Sequence, residues 1–138
     1  MYDLHHFLTA VAIDELNDDK GYTDGQLGKH IAIYENEPPD ITNADIVLVG
    51  ANETRGSGDF DNTLNAADCI RRQLYQLHYW HTDIALADIG NIKTGATLKD
   101  SYAAIKTVIA ELLRLKKTVV VLGGPNDITL AQYFAYKE

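Results

Sequence analysis

Residues 118–127 read Thr118-Val119-Val120-Val121-Leu122-Gly123-Gly124-Pro125-Asn126-Asp127. A β-branched run this short, with no polar alternation, predicts a strand buried on both faces. The paired glycines and the proline turn the chain out of it, and Ile128 to Tyr136 then reads as a helix. Upstream, Ala44-Asp45-Ile46-Val47-Leu48-Val49-Gly50 and Asp83-Ile84-Ala85-Leu86-Ala87-Asp88-Ile89-Gly90 predict two more strands of the same kind. A helical stripe of Ala67, Ile70, Leu74 and Leu77 separates those two. A longer one, Leu98, Tyr102, Ile105, Ile109 and Leu112, leads into the last strand.

Strands alternating with helices predict an α/β fold with a parallel sheet and right-handed crossovers. Apolar residues on both faces of each strand call for helices on both sides, a three-layer arrangement. With strands at about 45–50, 83–88 and 118–122 in the order 2-1-3, the carboxyl ends of the first and third border a topological switch point. The loops Ala51–Thr63 and Gly123–Asp127 are then expected to face each other. The third strand lies at an open edge, which invites pairing. Partial cover by residues 1–43 or the last helix, completed by a second chain, is the expectation. The partner is the remainder of its own polypeptide or a second copy, and the chain reads as the first part of a longer domain.

Residues 1–43 differ from the rest and read as an N-terminal extension to an α/β domain at 44–138. They are acidic, with turn signals at Asn17-Asp18-Asp19, Gly21, Gly25 and Pro38-Pro39. Their short apolar clusters predict one or two short helices. The prolines stop any helix before them.

Composition narrows the function classes. A net charge of −8 argues against nucleic-acid binding, which needs clustered Lys and Arg. The basic pairs Arg71-Arg72 and Lys116-Lys117 read as solvated residues complementing helix C-termini. No stretch approaches the roughly 18 apolar residues of a membrane span. The N-terminus lacks the basic segment and cleavage site of a signal peptide. With a single cysteine, Cys69, these features place the chain in the cytoplasm. His78 and His81 stand at a helical zinc spacing but without a companion Cys or carboxylate, so they read as a polar rim around Tyr79-Trp80.

Three pieces from Ala44 to Tyr136 resemble the arginase/agmatinase/formimidoylglutamase (ureohydrolase) family. Asp45-Ile46-Val47-Leu48-Val49-Gly50, a polar loop, and then Ala66-Ala67-Asp68-Cys69-Ile70-Arg71-Arg72 resemble its first strand, substrate-side loop and "G-P-x-x-I-R" helix start. Ala87-Asp88-Ile89-Gly90-Asn91 is similar to its "D-x-G-D". Val119 to Asp127 looks like the "L-G-G-D-H-S" strand end. The resemblance implies manganese-dependent hydrolysis of a C–N bond in a linear amidine such as a guanidino or formimino amino acid. Two metal ions would activate a bridging hydroxide.

The same resemblance puts Asn126 where the family has its ligand histidine, and Pro125 where it has the preceding aspartate. An amide oxygen is a weaker donor than imidazole, and the family's later ligand motifs lie beyond residue 138. The chain alone is therefore expected to have no catalytic residue, no activity and no cofactor of its own, the two manganese ions belonging to active family members. Asp127 is a lesser metal candidate, with a helix N-cap as its plainer role. Asp88 reads as a strand-end residue capping a loop, or else as a catalytic carboxylate. Glu53 and Arg55 are the candidate substrate-binding pair, suited to the ammonium and carboxylate of an amino acid, or else pair with each other at the surface. A degenerate, non-catalytic binding or assembly module and an unrelated flavodoxin-like domain are the alternative readings.

Overall fold

The computed structural model describes residues 3–17, 20–58 and 65–138. Asp18, Asp19, Asp59 and Thr63, which enter the turn and loop expectations, lie outside the described residues. Three strands form the centre: β3 (Ile46–Ala51), β4 (Leu86–Ile92) and β5 (Thr118–Leu122). β3 pairs in parallel with β4 on one side and β5 on the other, which is the expected 2-1-3 order.

Alternation of side chains across the strands divides the core in two. Val47, Val49 and Ala51 of β3 pack towards α4 (Leu98–Arg114) and α5 (Ile128–Tyr136), against Ile105, Val108, Ile109, Leu112 and Ala131. Leu48 and Leu122 pack on the other face with Ala67 of α3 (Ala66–Leu74) and with Tyr75. Each large aliphatic side chain buried this way contributes about 1.5–3 kcal/mol. α4 is stopped at its start by a reciprocal cap: Asp100 N donates to Thr97 Oγ1 at 3.2 Å, and Thr97 N to Asp100 Oδ2 at 2.9 Å.

Several expectations are corrected. The N-terminal segment supplies strands as well as helical turns. β1 (Leu8–Thr9) pairs antiparallel with the end of β4, and β2 (Ala32–Ile33) pairs parallel with its beginning. The sheet therefore has five strands and is not purely parallel. The segment also carries the short helices α1 (Ile13–Asn17) and α2 (Leu27–His30). It covers the β4 edge, so it does not cover β5.

β4 begins later than expected, because residues 82–84 form a turn and Tyr79 Oη donates to the Ile84 carbonyl at 2.7 Å. Asp88 is consequently mid-strand. The buried face of α3 is Ala67, Arg71 and the following Tyr75, whereas Ile70 and Leu77 are exposed. Trp80 is also exposed and does not close the helix onto the sheet.

Candidate functional site

β3 and β5 end side by side, and the chain leaves both at the switch point. Gly123 has φ +83°, a left-handed conformation suited to glycine, and a Cβ there would lie 2.9 Å from Ala67 N. The turn at 123–127 is thereby packed onto the start of α3. Asn52, just past β3, accepts from Ala67 N at 3.1 Å and donates to Asn65 Oδ1 at 3.0 Å. The loops after β3 and β5 do face each other. A side chain at Gly56 would run into the Asp127 carboxylate and the Tyr102 hydroxyl.

On the β3 side, Glu53 and Arg55 pair with each other. Arg55 Nε donates to Glu53 Oε1 at 2.9 Å and Nη2 to Oε2 at 2.7 Å, and the Arg55 backbone N–H reaches Oε1 at 2.8 Å. The guanidinium also donates to the carbonyls of Gly95 and Ala96 and to Ser101 Oγ. The pair is not a surface one at its acidic end, since Glu53 is 2% exposed. Hydrogen bonding from Arg55 outweighs the cost of burial and holds the Glu53 carboxyl down at about 2. The pair thus ties the β3 loop to the beginning of α4.

On the β5 side, Asn126 is exposed and Asp127 half-buried. Asp127 stands at the N-cap of α5 but makes no side-chain cap bond. Its Oδ2 instead accepts from the Tyr102 hydroxyl, and its Oδ1 is buried with no hydrogen-bond partner. The bond to Asp127 pushes the Tyr102 hydroxyl up to about 12.

Beneath the switch point lies an ion pair that sequence reasoning missed. Arg71 and Asp88 are both completely buried. Nε and Nη2 of Arg71 reach the two Asp88 oxygens at 2.8 Å each. Nη1 donates to Asp68 Oδ1 at 3.0 Å and Asn91 Oδ1 at 2.6 Å, and Nη2 also to the Gly90 carbonyl at 3.0 Å. Every guanidinium N–H thereby has an acceptor. Asp88 additionally accepts from Tyr75 Oη at 2.6 Å and Gly90 N at 3.0 Å, which fills its lone-pair sites. Burial opposes the charge on Arg71, but its carboxylate partners win and hold it firmly protonated, while burial pushes the Tyr75 hydroxyl upward. The solvated role expected for Arg71 is therefore wrong. Asp88 is an internal counter-ion, with no lone pair left for a metal or a proton transfer.

This donor set does not make up a manganese site by itself. Mn²⁺ takes about six oxygen or nitrogen donors. The switch point offers the Asn126 amide and one free Asp127 oxygen, and no group of three or more His, Cys, Asp or Glu fit to hold a metal occurs among the described residues. His78 and His81 form no such group: Tyr79, between them, stacks on His30 at 4.7 Å, and His81 packs on Trp80.

A groove of about 740 Å³ lies elsewhere, between Leu4, Leu8, Pro38–Thr42 and the last turns of α4. It contains none of the switch-point residues, and the buried carboxylate that lines it, Glu111, is paired with Arg114 at 3.2 Å. No helix among the described residues is long and apolar enough to cross a membrane.

Known proteins share the fold of this chain. None of the curated proteins matches the chain. Among solved structures, an arginase superfamily protein from Trypanosoma cruzi has a TM-score of 0.63 at 22% identity, over 82% of this chain and 40% of its own. A formiminoglutamase from the same organism, determined with Mn²⁺, has a TM-score of 0.64 at 21% identity, again over 82% and 40%. An asparagine-to-histidine variant of that enzyme, also with Mn²⁺, gives 0.61 at 22% identity, over 82% and 40%. These likenesses are of fold, and the chain spans 40% of the length of each neighbour. The family model described as the arginase family matches residues 44–138, more than half of the sequence and all of the β3–β4–β5 unit, and the chain belongs to the arginase family.

Proposed function

We propose that this chain forms the strand-1 to strand-3 portion of a ureohydrolase, framing one side of a site that hydrolyses a C–N bond in a linear amidine, and that it is not catalytic alone. The observation that carries this reading is the state of the carboxylates around the switch point. Asp88 is filled by Arg71, Tyr75 and Gly90, and Glu53 is filled by Arg55, which leaves Asp127 Oδ1 as the buried oxygen without a partner. Groups from outside the described residues must complete a metal centre.

Asn126 is compatible with this. One manganese-bound neighbour is an asparagine-to-histidine variant, so its parent carries asparagine at the substituted position. We read Asn126 as the amide counterpart of the family's ligand histidine. Glu53 and Arg55 then act on substrate indirectly, by fixing the loop that lines its side of the site. The test is hydrolysis of N-formimino-glutamate and of guanidino amino acids by the purified chain with Mn²⁺. No turnover is expected, and turnover with normal saturation would contradict the reading.

A further inference from the structure

The 740 Å³ groove lies where the N-terminal segment meets the family unit, on the flank of α4 over the β4 side of the sheet. A sheet of this order can grow only at β5, since β1 and β2 close the β4 side. By helical spacing, Glu111 and Leu115, which line the groove, are turned away from the α4 face of Tyr102 and Lys106. That other face meets Asp127 and Glu138. The groove is therefore set apart from both the switch point and the growing edge. Its walls are largely apolar, with Leu8, Pro38, Ile41, Ile89 and Leu115, and its size falls within the roughly 300–1,000 Å³ of small-molecule sites. One wall is pinned in place: Lys117 Nζ donates to the Thr42 and Ala44 carbonyls at 2.8 Å each, and Thr42 N to Asp40 Oδ1 at 2.9 Å.

We propose that this groove binds a small primary amine with an apolar body, its ammonium group on Glu111 and its body against Ile41, Ile89 and Leu115. The proposal is independent of the hydrolytic reading of the switch point. Charge selects the ligand. Asp3, Asp40 and Glu111 bring three carboxylates to the groove, against the ammonium of Lys117, which is spent on the two carbonyls. His5 stands beside Asp3 at 3.6 Å. Glu111 is the anchor, because it is only 7% exposed and sits among the apolar walls. Arg114 reaches its Oε2 at 3.2 Å and is shared with Glu138, while Oε1 has no donor among the described residues. A carboxylate oxygen held in apolar surroundings without a donor favours a cation that supplies one. With a single oxygen free, the partner is an ammonium: the fork of an amidinium or guanidinium needs both oxygens, and Arg114 has taken one. The ligand class therefore differs from the linear amidines of the switch point.

Methyl NMR of the chain titrated with 4-phenylbutylamine, and separately with 4-phenylbutanol and 4-phenylbutyrate, tests this. These probes share one apolar body and differ only in the head group. The amine should shift the Ile41, Ile89 and Leu115 methyls saturably, with a Kd below about 1 mM, at least about fivefold tighter than the alcohol and tighter still than the acid. Glu111→Gln keeps the shape and should reduce the preference for amine over alcohol to under about twofold while leaving alcohol binding in place. Leu115→Lys, at a position 36% exposed and so tolerant of charge, should weaken the amine at least about fivefold, and it decides the matter if Glu111→Gln does not fold. No saturable shift at these methyls by about 10 mM amine overturns the proposal. So does equal affinity for amine and alcohol, or a preference that survives both substitutions.

Discussion

Arg71 of α3 and Asp88 of β4 meet in a two-point ion pair with both side chains wholly buried, both contacts being 2.8 Å. The pair locks the crossover helix to the central sheet directly under the switch point. Buried pairs of this kind are weak evidence of net stabilisation, because desolvation offsets most of the attraction. What they do impose is a heavy penalty for removing one partner. Arg71→Ala should cost about 3–5 kcal/mol in urea denaturation. Arg71→Lys, which keeps the charge but cannot reach all the acceptors, should cost about 2 kcal/mol. A combined Arg71→Met and Asp88→Leu chain should be more stable than either single variant. Strictly additive losses would show that the two residues do not act as a unit.

Glu53 supplies a pH-dependent contribution. Its folded carboxyl is held at about 2 by Arg55, below the ordinary 4.5. A depressed carboxylate stabilises the fold fully above the ordinary range and loses that contribution as pH falls from about 4.5 towards about 2. The amount is on the order of 2 kcal/mol, reduced from the full linkage value because Arg55 is partly solvated. Glu53→Gln should lower stability at pH 7 and flatten the slope of unfolding free energy against pH between those limits. An unchanged slope would contradict the assignment.

Tyr102 and Asp127 connect α4 to the turn after β5. Tyr102→Phe leaves the Asp127 carboxylate without its hydroxyl donor, in addition to the oxygen that already lacks a partner. A loss of about 1–2 kcal/mol is expected by thermal unfolding. Unchanged stability would show that the bond is not formed in solution.

Gly123 tests the packing of the switch-point turn on α3. Its φ of +83° and the nearness of Ala67 N leave no comfortable place for a methyl group. Gly123→Ala should destabilise by about 1–3 kcal/mol. A neutral effect would mean that the turn is not held against the helix.

The central sheet was legible because β3, β4 and β5 are apolar on both faces, a pattern that only a covered parallel sheet satisfies. The switch point followed from strand order, so the meeting of the Gly56 and Asp127 loops was readable before any side chain was placed. β1 and β2 were not readable, because strands of two residues have no period to detect. Arg71 was misread for a different reason. Beside Arg72 it looked like half of a solvated pair, but Asp88 in the middle of Leu86–Ile92 was the available signal: a carboxylate in a strand buried on both faces needs an internal cation. Tyr75, four residues after Arg71, completes the face that the stripe of Ile70 and Leu77 had assigned to the wrong side. Asp127 was correctly placed at the N-cap, yet only the fold could show Tyr102 taking the place of the cap bond.

The claim that this arginase-family chain presents an incomplete donor set at its switch point is tested most directly by calorimetric titration with Mn²⁺ at neutral pH. The account predicts no stoichiometric site tighter than about 10 µM, for the parent chain and equally for Asn126→His, since a single imidazole beside Asp127 still falls short of a full ligand set. A saturable site below about 10 µM that Asp127→Ala abolishes would contradict it.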